Sequence, residues 1–345
     1  MTVCQRSPAW VIPRHDTPIP QWQRSLLKYC PPIRWRYRAS AMDIRESFFK
    51  AVTQPTSSHA QHMRDLNQML LDTQLDGRPD LQAKLRPSYS PGCKRSVISD
   101  DYYPALARPN VTLETSKIEH FTRTGIKFAD QDVAQEFDVV ILATGFESMA
   151  FLAPMRITGR HGVPLDKLWA GAAHAYRGVM VPQLPNFGIL YGPNTNLSHN
   201  SLILMIEAQV RYLSQVIATV LDARVDGKTL AIEPKADVTG DYNEKLQKEL
   251  QATSFADPGC NSWWKREDGH IINNWSGTAV DYQQSMSQVD WDDYQKEGTG
   301  QLKTTPTKIG RVVEETQVSN LVLGSVVVAG LGALGMGLGG FLAKF

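Results

Sequence analysis

Residues 137–145 read Phe-Asp-Val-Val-Ile-Leu-Ala-Thr-Gly, and the reading of this run decides the fold class. Val139 to Leu142 are consecutive large apolar residues, too few for an independent helix and suited to a strand buried on both faces. Ala143, Thr144 and Gly145 then shed side-chain bulk step by step. Small residues at the carboxyl end of a buried parallel strand let a cofactor approach the backbone closely. An ordinary core strand running into a turn has the same spacing, so both readings stand at this point. Either way, the pattern predicts a buried strand over 137–143.

The strands expected around it are short. Thr2 to Gln5 read as a strand, and Pro8, Pro13, Pro18 and Pro20 enforce extended or loop structure after it. Residues 40–86 are helical in tendency. Residues 93–98 read as a strand and Asp100 to Leu106 as a short helical turn. Val111 to Leu113, Ile118 to Phe121 and Ile126 to Phe128 alternate like antiparallel strands, with Thr124-Gly125 as a tight turn. Phe187 to Tyr191 form another apolar strand, and Ser201 to Leu221 one long helix. Asn200 is the expected N-cap, and the helix start would present free N–H groups and partial positive charge to an anionic group. A helix that merely covers a sheet has the same sequence. Asn261 to Trp275 are dense in groups that bind flat polar ligands, or form a surface hairpin turning at Asp268-Gly269.

The chain of 345 residues is long enough for two domains, and its net charge of +1 gives no argument for a nucleic-acid partner. Residues 1–50 nevertheless hold nine Lys or Arg against three acids. Such a field favours a phosphate-bearing ligand, or marks a solvated basic face. Cys4, Cys30, Cys93 and Cys260 are scattered without metal spacing, which predicts reduced thiols in the cytosol. His59 and His62 lack a third ligand, so no metal is expected. There is no G-x-S-x-G elbow, and no secretory signal is read ahead of the first strand.

Residues 321–343 carry no charge, and 23 residues suffice to cross a bilayer core. Ser325, Ala329, Ala333 and Gly337 make a stripe of small residues of the kind that lets membrane helices approach. The expectation is a C-terminal transmembrane tail, with a disordered or protein-packed tail as the alternative. Gly330, Gly332 and Gly335 also spell G-x-G-x-x-G, but too few residues follow for the helix and second strand that this fingerprint needs.

Several blocks carry a resemblance. Gln5 to Trp10 (Q-R-S-P-A-W), Gly92 to Arg95 with Ser99 to Leu106, and Arg108 to Val111 look like one family. So do Asp138 to Phe146, Gly192 to Ser201 (G-P-N-T-N-L-S-H-N-S) and Ser262 to Trp264. In this order they resemble the Baeyer–Villiger branch of the flavin-containing monooxygenases, over roughly residues 1–285. The resemblance implies an α/β flavoprotein with two dinucleotide-binding domains, FAD and NADPH as cofactors, and O2 as co-substrate. In that family NADPH reduces the flavin, and a C4a-peroxyflavin then attacks a ketone or a soft heteroatom.

By the same resemblance, Arg6 and Lys94 recognise the 2′-phosphate of NADPH, where a guanidinium suits a phosphate dianion. Arg95 matches the catalytic arginine that stabilises negative oxygen and holds the nicotinamide. Thr144 and Gly145 belong to the segment that links the NADPH domain back to the FAD domain. Asn194, Asn200 and Ser201 match the loop and helix start near the flavin. Trp263 matches a tryptophan on a mobile loop that closes over cofactor and substrate. No metal residue is implied.

The family's first glycine-rich motif for FAD, its intervening fingerprint and its second glycine-rich motif for NADPH are absent from the matching places. The expectation is therefore the C-terminal portion of such an enzyme. Residues 1–143 would be the C-terminal part of the NADP(H) domain with a helical insertion. Residues 144–300 would be the C-terminal part of the FAD domain, 301–320 a linker and 321–343 the tail. A cytoplasmic-facing location with membrane association through the tail follows. The alternative functions are a non-catalytic, membrane-tethered remnant or one half of a split flavoenzyme.

Overall fold

The computed structural model describes residues 1–303 together with residues 324, 325 and 328. The expected tail at 321–343 lies almost wholly outside the described residues. Among those described, no helix is long and apolar enough to cross a membrane.

The first part is an α/β layer. Strand β1 (Thr2–Cys4) and β2 (Val11–Ile12) lead into helices α1 (Gln21–Tyr29), α2 (Pro31–Thr53), α3 (Ser58–Gln74) and α4 (Pro79–Leu85). Strand β3 (Val97–Ile98), helix α5 (Tyr102–Leu106) and strand β4 (Thr112–Glu114) follow. The proline-rich stretch ends at Pro20, and Pro31 opens α2 where its missing N–H costs nothing. Ser57 caps α3 by accepting from the Ala60 N–H at 3.1 Å. Strand β1 runs parallel to β4, and β2 parallel to β3. The third expected strand is thus displaced by a residue and pairs in parallel with β1, not in an antiparallel meander. The strand expected over 93–98 is confined to Val97–Ile98. The core between strands and helices is Val11, Leu70, Leu71, Leu75, Leu81, Leu85, Tyr103 and Leu113. Inside it, Asn67 of α3 donates to the Val11 carbonyl at 3.1 Å and to the Tyr103 hydroxyl at 2.7 Å, so its buried amide is satisfied.

Strands β5 (Ile118–Phe121), β6 (Gly125–Phe128) and β7 (Gln135–Glu136) form an antiparallel sheet; the turn falls at 122–124, ahead of the expected Thr124-Gly125, because Gly125 already pairs with Glu136. The Phe137 N–H still reaches the Thr124 carbonyl at 3.0 Å, but the ladder ends there. The strand expected over 137–143 does not form. Beyond Phe137 its residues pair with no strand among the described residues, and Val139, Ile141 and Leu142 are 75%, 85% and 68% exposed. A strand exists only where a neighbour supplies hydrogen bonds and a facing surface. Among the described residues the parallel pairs β1–β4 and β2–β3 each stop at two strands, and neither extends to this segment.

The second part is built on helix α7 (Leu202–Val225), preceded by the short helix α6 (Leu165–Leu168). Strand β8 (Leu230–Pro234), helices α8 (Ala236–Gln251) and α9 (Ala279–Ser285), and strand β9 (Tyr294–Gly298) complete it. Strands β8 and β9 are antiparallel. Met205, Ala208, Tyr212 and Val216 of α7 pack with Ile232 of β8, Tyr282 and Met286 at α9, and Tyr294 of β9. The apolar run Phe187–Tyr191 packs here as irregular backbone, not as the expected strand, because its residues bond to separated partners. Asn186 N–H reaches Ile232, Ile189 N–H reaches Val179, and Tyr191 N–H reaches the Gln209 side chain. Arg160 fastens this part by donating to buried Glu233 and to Glu297, each at 2.6 Å.

Candidate active site

Gly92 fixes the approach to the site. Its φ is +90°, and a Cβ there would meet the Val52 carbonyl oxygen at 2.1 Å, so only glycine passes the end of α2. The chain then presents Cys93, Lys94 and Arg95 in succession before β3. Arg95, Asn200 and Ser201 line one cavity of about 410 Å³, together with Arg45 and Phe48 of α2, Ser96, Ser198 and His199. Three residues selected from the sequence, Arg95 on one side and Asn200 and Ser201 far along the chain, therefore line one cavity.

Arg6 and Lys94 also come together. The Lys94 ammonium donates to the Ser7 hydroxyl and lies 5.0 Å from the centroid of the Tyr89 ring. Burial pushes its pKa down and the neighbouring Arg6 charge pushes it further. A cation pair of this kind is relieved by an anion placed between or beside the two. The Arg95 charge is felt at Tyr191, where burial raises the phenol and the arginine opposes that rise.

The start of α7 departs from expectation. Ser201, not Asn200, is the N-cap, and it makes no side-chain cap bond. The Asn200 Oδ1 accepts from the Ser201 N–H at 2.8 Å, while its amide donates to Glu46 of α2. An asparagine held by a neighbouring helix is not free to fold back onto its own. The Glu46 carboxylate also lies 3.5 Å from His199 Nε2. Burial raises the Glu46 pKa, but hydrogen bonds from His199 and Asn200 outweigh it and hold the carboxyl below the ordinary glutamate range. Around the same cavity, Ser96 Oγ, Ser198 Oγ and Glu46 Oε2 are buried without a hydrogen-bond partner among the described residues. Such orphaned polar atoms beside a fixed cation suit a polar ligand.

Asn194 has a different use. Its backbone is left-handed, with φ 57°, and its buried amide donates to the carbonyls of Ile271 at 2.7 Å and Asn274 at 3.0 Å. Asn196 repeats the tie by donating to Asn274 Oδ1 at 2.6 Å. Both donors of Asn194 are spent on joining loop 192–200 to segment 271–275. The hairpin expected at Asp268-Gly269 is present, with Gly269 at φ +86°, but Ile271 and Ile272 behind it are core. Trp263 is 45% exposed and packs at 5.3 Å on Trp264, which is buried against Phe255. Thr144 and Gly145 are exposed and do not line the Arg95 cavity, although Ser148 donates to the Trp263 carbonyl at 3.1 Å.

No family model matches the chain. Two curated relatives decide the matter. The FAD-binding monooxygenase ktnD of Aspergillus niger is 45% identical over 335 residues, which is 96% of this chain and 55% of the relative. A Baeyer–Villiger monooxygenase of Streptomyces coelicolor is 32% identical over 319 residues, 91% of this chain and 59% of the relative. The chain belongs to the Baeyer–Villiger-type, FAD-binding monooxygenase family. It spans little more than half the length of these relatives. The fold agrees. Cyclohexanone monooxygenase from Rhodococcus bound to NADP+ superposes with TM-score 0.70 at 20% identity, covering 86% of this chain and 62% of that one. Oxidized steroid monooxygenase bound to NADP superposes at 0.66 with 24% identity over 83% of this chain and 59% of that one.

Within this family the sequence reading overlooked three things. Glu46 was hidden in an ordinary helix, with no motif to single it out. His199 stood in a quoted block but was given no role. The reduced-thiol expectation fails for Cys93 and Cys260, which form a disulfide across 167 residues. No spacing in the sequence signals a bond between two such distant loops. Cys4 and Cys30 remain free. Among the described residues no cluster of His, Cys, Asp and Glu is arranged to hold a metal.

Proposed function

We propose that this chain forms the C-terminal portion of an FAD- and NADPH-dependent monooxygenase. The enzyme inserts one oxygen atom of O2 into a ketone or transfers it to a heteroatom. The observation that carries the reading is the convergence of Arg95, Asn200 and Ser201 on one cavity in a chain of this family. The buried hydroxyls of Ser96 and Ser198, without partners among the described residues, fit a polar cofactor edge there. The paired cations Arg6 and Lys94 fit the NADPH 2′-phosphate. When bound, the reduced flavin supplies the activation of O2. Arg95 holds permanent positive charge where negative charge develops on oxygen, and it orients the nicotinamide. Glu46 fixes the start of α7 by accepting from Asn200. Trp263 covers the site and excludes water. Thr144 and Gly145 form the hinge of the linking segment, and Asn194 supports the flavin-side loop through segment 271–275.

The domain limits follow the same reading: 1–143 for the NADP(H) part, 144–300 for the FAD part and 301–320 for a linker. The uncharged segment 321–343, with its small-residue stripe, anchors the protein to a membrane; flotation with vesicles, lost on deletion of 321–345, is the test. A second reading is favoured by the bare face at Val139–Leu142, which suits one half of a split flavoenzyme completed by another polypeptide.

The deciding experiment loads the purified chain with FAD, removes the excess and records the visible flavin spectrum. Retained flavin with ketone-dependent NADPH oxidation supports an autonomous monooxygenase. Flavin retained only after adding a polypeptide that carries the glycine-rich motifs supports the split enzyme. No retention under either condition rejects both.

A further inference from the structure

The Cys93–Cys260 bond joins the two loops that bear the proposed active-site groups. Cys93 immediately precedes Lys94 and Arg95, and Cys260 lies three residues before Trp263. Both half-cystines are buried, packed with Trp10 and Tyr89. A weaker tie crosses the same junction: the Ser90 N–H donates to Asp257 Oδ2 at 2.7 Å. Asp257 is itself held within the Cys260 side, where its carbonyl accepts from Lys265 Nζ at 2.6 Å. Trp10 Nε1 donates to the Tyr89 carbonyl at 3.0 Å, which seats the aromatic pair against the sulfurs.

The two sides of the strap differ in rigidity. On the Arg95 side, Gly92 is wedged against the Val52 backbone and β3 is paired with β2. On the Trp263 side, segment 257–263 belongs to no helix or strand, and its indole is half exposed. Cutting the bond would therefore release the Trp263 loop and leave the Arg95 loop in place.

We propose that the Cys93–Cys260 disulfide is a redox-controlled strap that tethers the Trp263 loop to the loop bearing Arg95. A dithiol reductant opens it. One thiolate attacks a cystine sulfur, forming a mixed disulfide and expelling the other half-cystine as a thiolate that takes up a proton. The second thiol of the reductant then displaces the remaining cysteine sulfur. Two cysteine thiols and one cyclic disulfide of the reductant result, so two electrons and two protons pass to the protein. Because both sulfurs are buried, reduction waits on local opening of the junction.

The existence of the strap stands apart from the monooxygenase reading; its consequence for catalysis rests on that reading. The test is accordingly made on the whole chain without reference to oxygenation. Non-reducing peptide mass analysis should recover a cross-linked peptide containing Cys93 and Cys260. Hydrogen exchange should then be compared between the oxidised protein, the same protein treated with dithiothreitol, and Cys260→Ala. Amides of 258–266 are expected to exchange about tenfold faster in the latter two, while β3 and α8 stay unchanged. Free Cys93 and Cys260 thiols in protein prepared without reductant would overturn the proposal. So would unchanged exchange over 258–266 after complete reduction, or equal acceleration throughout the chain. Chemical reduction of the unmutated protein serves if Cys260→Ala does not fold.

Discussion

Strand β8 and segment 138–146 are both short apolar stretches, yet they meet opposite fates. Ile232 of β8 is completely buried among residues of α7, α9 and β9, with its N–H bonded to Asn186 Oδ1 at 2.9 Å. Ile141 is 85% exposed, and Phe146 nearby is 98% exposed. Segment 139–142 is the more continuously aliphatic of the two; what differs in favour of β8 is a neighbouring strand and a covering helix. The lesson is that an apolar run specifies a need for burial, and the rest of the fold decides whether that need is met.

The comparison can be broken or sharpened by substitution. The largest effect is expected at the Arg95 cavity. In the flavin-loaded complete enzyme, Arg95→Ala should reduce oxygenation by about 100- to 1000-fold while flavin reduction by NADPH persists in part. Stopped-flow measurement of the two half-reactions separates them; unchanged oxygenation would remove Arg95 from its assigned role. Next comes the direct pair. Ile232→Ala should cost about 3 kcal/mol in urea unfolding, through lost burial and a residual cavity. Ile141→Ala should stay within about 0.5 kcal/mol in this chain, because almost no surface is uncovered. Equal losses at both positions would erase the contrast between the regions.

Arg6→Ala should weaken NADPH by about tenfold and NADH much less, as read from the two apparent KM values. An equal loss for both nucleotides would reject the phosphate contact. The smallest effect concerns pH. The folded-state pKa of Glu46 is depressed, so its contribution is fully present above the ordinary glutamate value of about 4.3. It is lost as pH falls through the lower, folded value. Glu46→Gln should therefore destabilise the protein by about 1 kcal/mol near neutrality and flatten the acid limb of the stability curve below about pH 4. A parallel acid limb in the variant would exclude Glu46 as its source.

Much of this was legible beforehand. Local patterns such as the periodicity of α7, the hairpin of β5 and β6, and the proline-rich loop are properties of neighbouring residues, and they read correctly. Arg95, Asn200 and Ser201 could be picked out because their blocks stand in a recognisable order. The roles of Asn194 and Asn200 could not. Each side chain bonds to a partner contributed by a distant element, Asn194 to segment 271–275 and Asn200 to Glu46 of α2.

By itself, then, the sequence determined the family, local elements such as α7 and the β5–β6 hairpin, and the cationic character of Arg6, Lys94 and Arg95, since these depend on residue type and short-range order. Tertiary structure alone decided that β4 pairs in parallel with β1, that Cys93 meets Cys260, and that Val139–Leu142 lie bare. Those outcomes depend on which remote surfaces reach one another. Pairing and burial are properties of two partners, and a linear run of residues describes only one of them.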